Sequence, residues 1–187
     1  MGETMNKRAL HPILEWVLVI AIAVVASLFV RTFIVSPFVV PTGSMEHTIE
    51  IGDHLLAQKV TVNLDRPVEA GDVVVFDNPE GGSDHDILVK RVIATEGQVV
   101  SLRGGRVFVD GEALDEPYAV GSSYPLMQQA PNASVQYPFI VPEGHVWVMG
   151  DNRENSADSR YFGSIPTDSI IGVAFARYWP LDRIGLL

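Results

Sequence analysis

Three short stretches hold side chains that could act on a substrate together. The first is PTGSMEHTIE, residues 41–50, where Ser44 follows Gly43 in a turn-prone run. A serine hydroxyl is a weak nucleophile until a base takes its proton, and a glycine beside it leaves room for a substrate carbonyl to approach the backbone. Taken alone, such a serine is an ordinary turn residue. The second stretch is DILVKRVIA, residues 86–94. Strand alternation places Leu88, Lys90, Val92 and Ala94 on one face and Val89, Arg91 and Ile93 on the other. A lysine among aliphatic side chains has its charged form disfavoured, so a neutral amine becomes available as a base. The competing outcome is a lysine that merely snorkels to solvent. Lys59 is the only other lysine after the apolar N-terminal run, and it shares its face with Ala57, Thr61 and Asn63, a more solvated setting. The third stretch is GDNRENSADSRYFGSIP, residues 150–166, a dense polar loop holding Asp151, Asn152, Arg153, Ser156, Asp158, Ser159 and Arg160. It could be a salt-bridged turn. Calcium is disfavoured, because the spacing misses the acidic loop pattern and two arginines would compete with the cation.

The elements that must position these residues are legible in outline. Ile13 to Val30 is apolar apart from Glu15 and Ser27 and is long enough to nearly cross a bilayer. Lys7 and Arg8 precede it, which puts the N-terminus in the cytoplasm and the rest of the chain outside. A cleaved signal peptide is the rival, but SLFVRTFIV stays apolar where a cleavage region turns hydrophilic. Beyond this anchor the chain reads as β: DVVVFD, DILVKRVIA, RVFVDG, HVWVMG and GVAFARYW are separated by Gly, Pro, Asn and Asp. Asp110-Gly111 marks a tight hairpin turn, while residues 115–140 carry many Pro, Ser and Gln and little alternation. The expected organisation is a short cytoplasmic tail over 1–11, a transmembrane anchor over 12–35, a catalytic β core from 36–95 and 141–180, and an inserted hairpin and loop subdomain over 96–140.

Bulk properties exclude several classes. A net charge of −10 would repel a phosphate backbone, so nucleic acid is not an expected partner. The absence of cysteine removes disulfides, thiol nucleophiles and thiolate metal sites. His54, His85 and His145 are scattered, and SDHD at 83–86 reads as a polar loop and not a metal site. There is no phosphate-cradling glycine loop. No cofactor is expected.

Taken in order after one anchor, PTGSMEHTI, GDVVVF at 71–76, KRVIA at 90–94 and GDNRENSADSR at 150–160 resemble bacterial type I signal peptidases. These are membrane-anchored serine endopeptidases that remove leader peptides from exported preproteins. The resemblance covers the chain to about Tyr178 and is weak between Ile93 and Val146. It implies a mainly β protein, with one N-terminal transmembrane helix and an extracytoplasmic antiparallel catalytic domain bearing an insert. It implies Ser44 as nucleophile and Lys90 as general base, a Ser-Lys dyad working through an acyl-enzyme. It further implies an oxyanion site from the Ser44 N–H and the Thr42 hydroxyl, Ser156 hydrogen-bonded to the lysine amine, and Asp158 with Arg160 as a supporting ion pair. Met45 is implied beside the nucleophile, and Phe38 and Val39 in the substrate groove or against lipid. The expected partners are preproteins, the bilayer and the translocation machinery nearby, at the plasma membrane.

His47 stands where the family commonly carries proline. It opens an alternative, a histidine base three residues after Ser44, for which no acidic orienter can be assigned. A soluble Ser-Lys protease would need another module in place of the anchor, and a silent membrane-tethered interaction module would keep the fold without needing Ser44 or Lys90.

Overall fold

The computed structural model describes residues 12–60, 67–81 and 86–187. Lys7 and Arg8, Thr61 and Asn63, and Ser83 to His85 of the SDHD run lie outside them. Helix α1 spans Pro12–Phe33, 22 residues or about 33 Å at 1.5 Å per residue. Leu14–Phe33 is exposed throughout and is long and apolar enough to cross a membrane. Glu15 lies in the first turn and Arg31 in the last, each at the end where its charge opposes the helix dipole. The β-branched Ile34 and Val35 disfavour further helix, and Pro37 forces Ser36 to be extended. Ser36 Oγ donates to the Arg31 carbonyl at 3.2 Å, taking one orphan carbonyl of the helix end.

Strand β1 (Val35–Val39) therefore begins almost where the helix stops. The main antiparallel sheet adds β2 (His54–Gln58), β3 (Val73–Asp77) and β4 (Ile87–Thr95). A smaller sheet follows, made of β5 (Val99–Arg103), β6 (Arg106–Val109), β7 (Glu112–Ala113) and β8 (Phe139–Ile140). The chain then returns with β9 (His145–Met149), the one-turn helix α2 (Ser159–Phe162), β10 (Ile165–Pro166), β11 (Ile170–Trp179) and β12 (Gly185–Leu186). The main order is β1-β2-β11-β3-β4-β9-β10 with β12 on β11, and the small sheet runs β7-β6-β5-β8. Pro37 is tolerated because β1 lies at the sheet edge, where one row of N–H groups needs no partner.

The segment after β1 is part of the core. Val40, Met45 and Ile49 pack in one cluster with Leu55 and Ala57 of β2, Val73 and Val75 of β3, Val89 of β4 and Ala174 of β11. Four strands gather round this segment, so the twisted sheet curls about it. A second cluster joins Val74, Phe76, Val92, Val148 and Ile170. A third joins Ile93, Ala94, Trp147 and Met149 of the main sheet to Val100, Val107 and Val109 of the small one, so the two sheets share apolar packing.

One expectation about β4 needs correcting. Its register against β9 shifts between Val92 and Ala94, and Ala94 packs with Ile93 in the third cluster instead of sharing a face with Lys90. A bulge puts two residues opposite one and moves the following side chains to the other face.

The Asp110-Gly111 pair links β6 to β7 as the spacing predicts, with φ of 52° and 88°, both left-handed as a two-residue primed turn requires. Gly111→Ala should lower stability by about 1–2 kcal/mol, the cost of a Cβ in that region. Chemical unfolding of the two proteins side by side measures it, and an unchanged midpoint would contradict the turn geometry.

Candidate active site

A 3-10 turn over Gly43–Met45 presents Ser44, which is buried along with its two neighbours. Lys90 projects from the middle of β4, opposite Val74, and is only 2% exposed. Its Nζ lies 2.7 Å from Ser44 Oγ and donates to its own strand at the Val89 carbonyl, 3.1 Å away. Thr42 Oγ1 stands 3.5 Å from Ser44 Oγ, on the same side of the turn. Burial pulls the Lys90 amine down from 10.5 to about 8, and the charge of Asp158 partly opposes that fall. At pH 7 roughly one molecule in ten then holds the neutral amine, against fewer than one in a thousand for a free lysine. A hydroxyl in contact with a neutral amine can be deprotonated as it attacks an electrophile, which is the chemistry of nucleophilic acyl transfer.

The adjacent cation on the same strand is treated in the opposite way. Arg91 makes a two-pronged pair with Asp151, at 2.9 and 2.7 Å, donates to the Gly71 carbonyl at 2.8 Å, and lies 4.1 Å over the Tyr118 ring. Asp151 also accepts from Thr48 Oγ1 at 2.6 Å, and its N–H meets Met45 Sδ at 3.5 Å. The polar loop thereby grips the segment that carries Ser44 at two points. Its next residue, Asn152, donates from its backbone N–H to the Ser44 carbonyl at 3.0 Å and from Nδ2 to the Gly43 carbonyl at 3.2 Å.

The rest of the loop is closed on itself. Asp158 caps α2 and accepts from the Arg160 N–H, Nε and Nη2 and from the Gly150 N–H, all within 3.1 Å. Arg160 returns to the Arg153 carbonyl at 2.7 Å, while Arg153 pairs with Glu116 and Ser123 of the loop that follows β7. Gly150 has no freedom to be larger: a Cβ there would overlap Ser156 Oγ and come 2.5 Å from the Ser44 carbonyl.

The structure brings Ser44, Lys90 and Thr42 together and forms the Asp158–Arg160 pair. It does not join Ser156 to the lysine: Ser156 Oγ is buried against Gly150 without a hydrogen-bond partner among the described residues. Met45 is fully buried beside Ser44, Phe38 packs against the same cluster, and Val39 is 57% exposed. The position where a Cβ on Gly43 would stand is taken by the Glu46 carboxylate. His47 is exposed with φ +78°, a conformation proline cannot reach, and Ser44 Oγ is hydrogen-bonded to Lys90 and Thr42 instead of the His47 ring. The Arg91–Asp151, Arg153–Glu116 and Asn152 contacts were not read from the sequence. The available signal was Arg91 itself, since an arginine inside a buried strand requires a counter-ion.

Comparison with known proteins gives a consistent outcome. The family described as signal peptidase, peptidase S26, matches residues 13–179. The chain is 37% identical over 192 residues to a protein named probable signal peptidase I-2 of Synechocystis, covering 99% of this chain and 83% of that one. It is 36% identical to signal peptidase I of Leptolyngbya laminosa, covering 96% and 86%. It is 35% identical to signal peptidase IB of Staphylococcus aureus, covering 91% and 92%.

Two stability outcomes follow from this geometry. A lysine whose native pKa lies below its unfolded value makes the fold less stable at low pH, with stability regained as pH rises from about 8 to 10.5. Lys90→Met should therefore raise stability at pH 7 by up to roughly 3 kcal/mol, with the gain vanishing by pH 11, as denaturant titrations at the two pH values would register. At the left-handed position, His47→Gly should stabilise by about 1 kcal/mol and His47→Pro should destabilise by more. Equal melting of the three proteins would contradict the φ observed there.

Proposed function

The chain belongs to the signal peptidase family, peptidase S26, and on that premise we propose that it is a membrane-anchored serine endopeptidase that removes N-terminal signal peptides from exported preproteins. The observation that carries the mechanism is the 2.7 Å contact between Ser44 Oγ and Lys90 Nζ in a buried setting. Neutral Lys90 takes the hydroxyl proton as Ser44 Oγ attacks the scissile carbonyl. The resulting ammonium gives that proton to the leaving amine, and the signal peptide stays on Ser44 as an ester. Lys90, neutral again, takes a proton from water as the water oxygen attacks the ester. That ammonium returns the proton to Ser44 Oγ as the acyl bond breaks, releasing the signal peptide as a carboxylic acid and restoring the serine. The Ser44 N–H and the Thr42 hydroxyl hold the oxyanion in both tetrahedral intermediates. Every group in this cycle is a protein side chain, a backbone amide or water.

The remaining residues support these two. Asp158 and Arg160 form the floor of the loop, and the negative charge of Asp158 keeps the Lys90 amine from falling further. In this reading α1 spans the bilayer with its N-terminus on the cytoplasmic side, and the catalytic domain lies on the outer surface of the plasma membrane. The translocation machinery delivers preproteins nearby. Because β1 follows α1 almost directly, Ser44 stays close to the membrane, where a signal peptide's apolar segment ends. The substrate lies extended along the groove near Phe38 and Val39, adding main-chain hydrogen bonds as a strand does.

Cleavage of a purified preprotein in detergent tests this. Ser44→Ala and Lys90→Met should each lower kcat by about 10⁴-fold or more, as loss of a nucleophile or base does. His47→Ala should retain kcat/KM within about threefold, a surface change. The wild-type kcat/KM should rise with pH and level off above about 8, because the reactive form is the deprotonated amine. An active Lys90→Met protein with a dead His47→Ala protein would assign the base to His47 and overturn this mechanism.

A further inference from the structure

Both peptide planes that flank Ser44 are held by one residue. The Gly43 carbonyl, before it, accepts from Asn152 Nδ2 at 3.2 Å, and the Ser44 carbonyl, after it, accepts from the Asn152 backbone N–H at 3.0 Å. Asn152 Nδ2 also donates to Glu46 Oε2 at 2.9 Å. Both side-chain neighbours are acceptors, so only the NH2 end of the amide fits there. Glu46 is itself fixed, because its carboxylate fills the space over Gly43 where a side chain would stand. Asn152 is fixed from the other side: Val120 bridges to it, Val120 N–H donates to the Asp151 carbonyl at 2.8 Å and Arg153 N–H to the Val120 carbonyl at 2.9 Å.

We propose that Asn152 is a positioning residue that aims the Ser44 N–H at the oxyanion. A trans peptide is planar, and its C=O and N–H point in opposite directions. Fixing the Gly43 carbonyl on Asn152 therefore fixes the Ser44 N–H of the same peptide on the opposite side. Without that donor, the Glu46 N–H at 3.2 Å is the remaining hydrogen bond to the Gly43 carbonyl, and the plane gains freedom to rotate. An oxyanion donor is effective only when it needs no reorganisation at the moment charge develops. Asn152 touches neither substrate nor Ser44 Oγ; it acts through the peptide. This inference rests on the Ser-Lys reading above.

The test compares full-length wild type with Asn152→Asp, with the Glu46→Gln, Asn152→Asp double variant and with Ser44→Ala, all in detergent. Asn152→Asp keeps the shape and removes the donor. The double variant restores a hydrogen bond between positions 46 and 152 while leaving the Gly43 carbonyl without residue 152 as donor. Both should lose about 10² to 10³ in kcat with KM unchanged, the range for a lost oxyanion donor. Their affinity for a peptide aldehyde, which forms a tetrahedral adduct on serine, should fall by the same factor, while affinity for an uncleavable peptide stays as in wild type. Retention of kcat within threefold, or a double variant restored to wild-type kcat, overturns the proposal while leaving the dyad intact. Cleavage by Ser44→Ala overturns the dyad and this inference with it. Should the variants fail to fold, a structure of wild type with the aldehyde decides: the adduct oxygen must meet the Ser44 N–H with the Gly43 carbonyl still on Asn152, and a rotated peptide overturns the proposal.

Discussion

The contact on which the site depends is a lysine amine held inside a sheet with a serine hydroxyl and a carbonyl as its hydrogen-bond partners. Burial of the ammonium form is unfavourable, and among the described residues no carboxylate closes an ion pair with it. The amine is held partly destabilised in its charged form, which leaves more of it neutral than a free lysine would be. The surroundings of that amine are largely apolar, and it is only 2% exposed. Leu88 and Val92 flank it on its own strand, Val74 lies opposite, and the polar loop hydrogen-bonds to the turn that carries Ser44.

Lys90 and Arg91 show how neighbouring cations in one buried strand take opposite fates. Arg91 is fully paired by Asp151, so its charge is fixed and structural, and removing either partner would leave the other buried alone at a cost of about 3–5 kcal/mol. Lys90 faces Asp158 only at longer range, and Asp158 is already committed to Arg160 and to two backbone amides. The carboxylate that could hold Lys90 charged is thereby diverted. The same loop supplies Asp151, Asn152 and Asp158, so one segment pairs the arginine, hydrogen-bonds to the carbonyls on either side of Ser44 and moderates the lysine.

The five apolar runs named from the sequence all became strands, because each is rich in β-branched and aromatic residues and bounded by its own turn residues. Strand β1 was hidden, since its apolar residues continue those of the helix and only Pro37 marks the change. Lys90 was legible from its aliphatic neighbours and from the scarcity of other lysines. The arginine pairings were not, because they join Arg91 to Asp151 and Arg153 to Glu116, residues that are distant in sequence. The resemblance led to an expected bond from Ser156 to the lysine, which the packing of Ser156 against Gly150 leaves unformed. The carboxylate of Glu46 at the Cβ position of Gly43 was not legible, because nothing in the sequence places that side chain against the turn.

Burial beside Ser44 is what lowers the pKa of Lys90. NMR titration of the Lys90 side chain, labelled with ¹³C at Cε and assigned by its loss in Lys90→Met, reads the ionisation directly. A midpoint near 8 is the expected result. A midpoint near 10.5, the ordinary value, would mean an exposed ammonium and would contradict the account of the base.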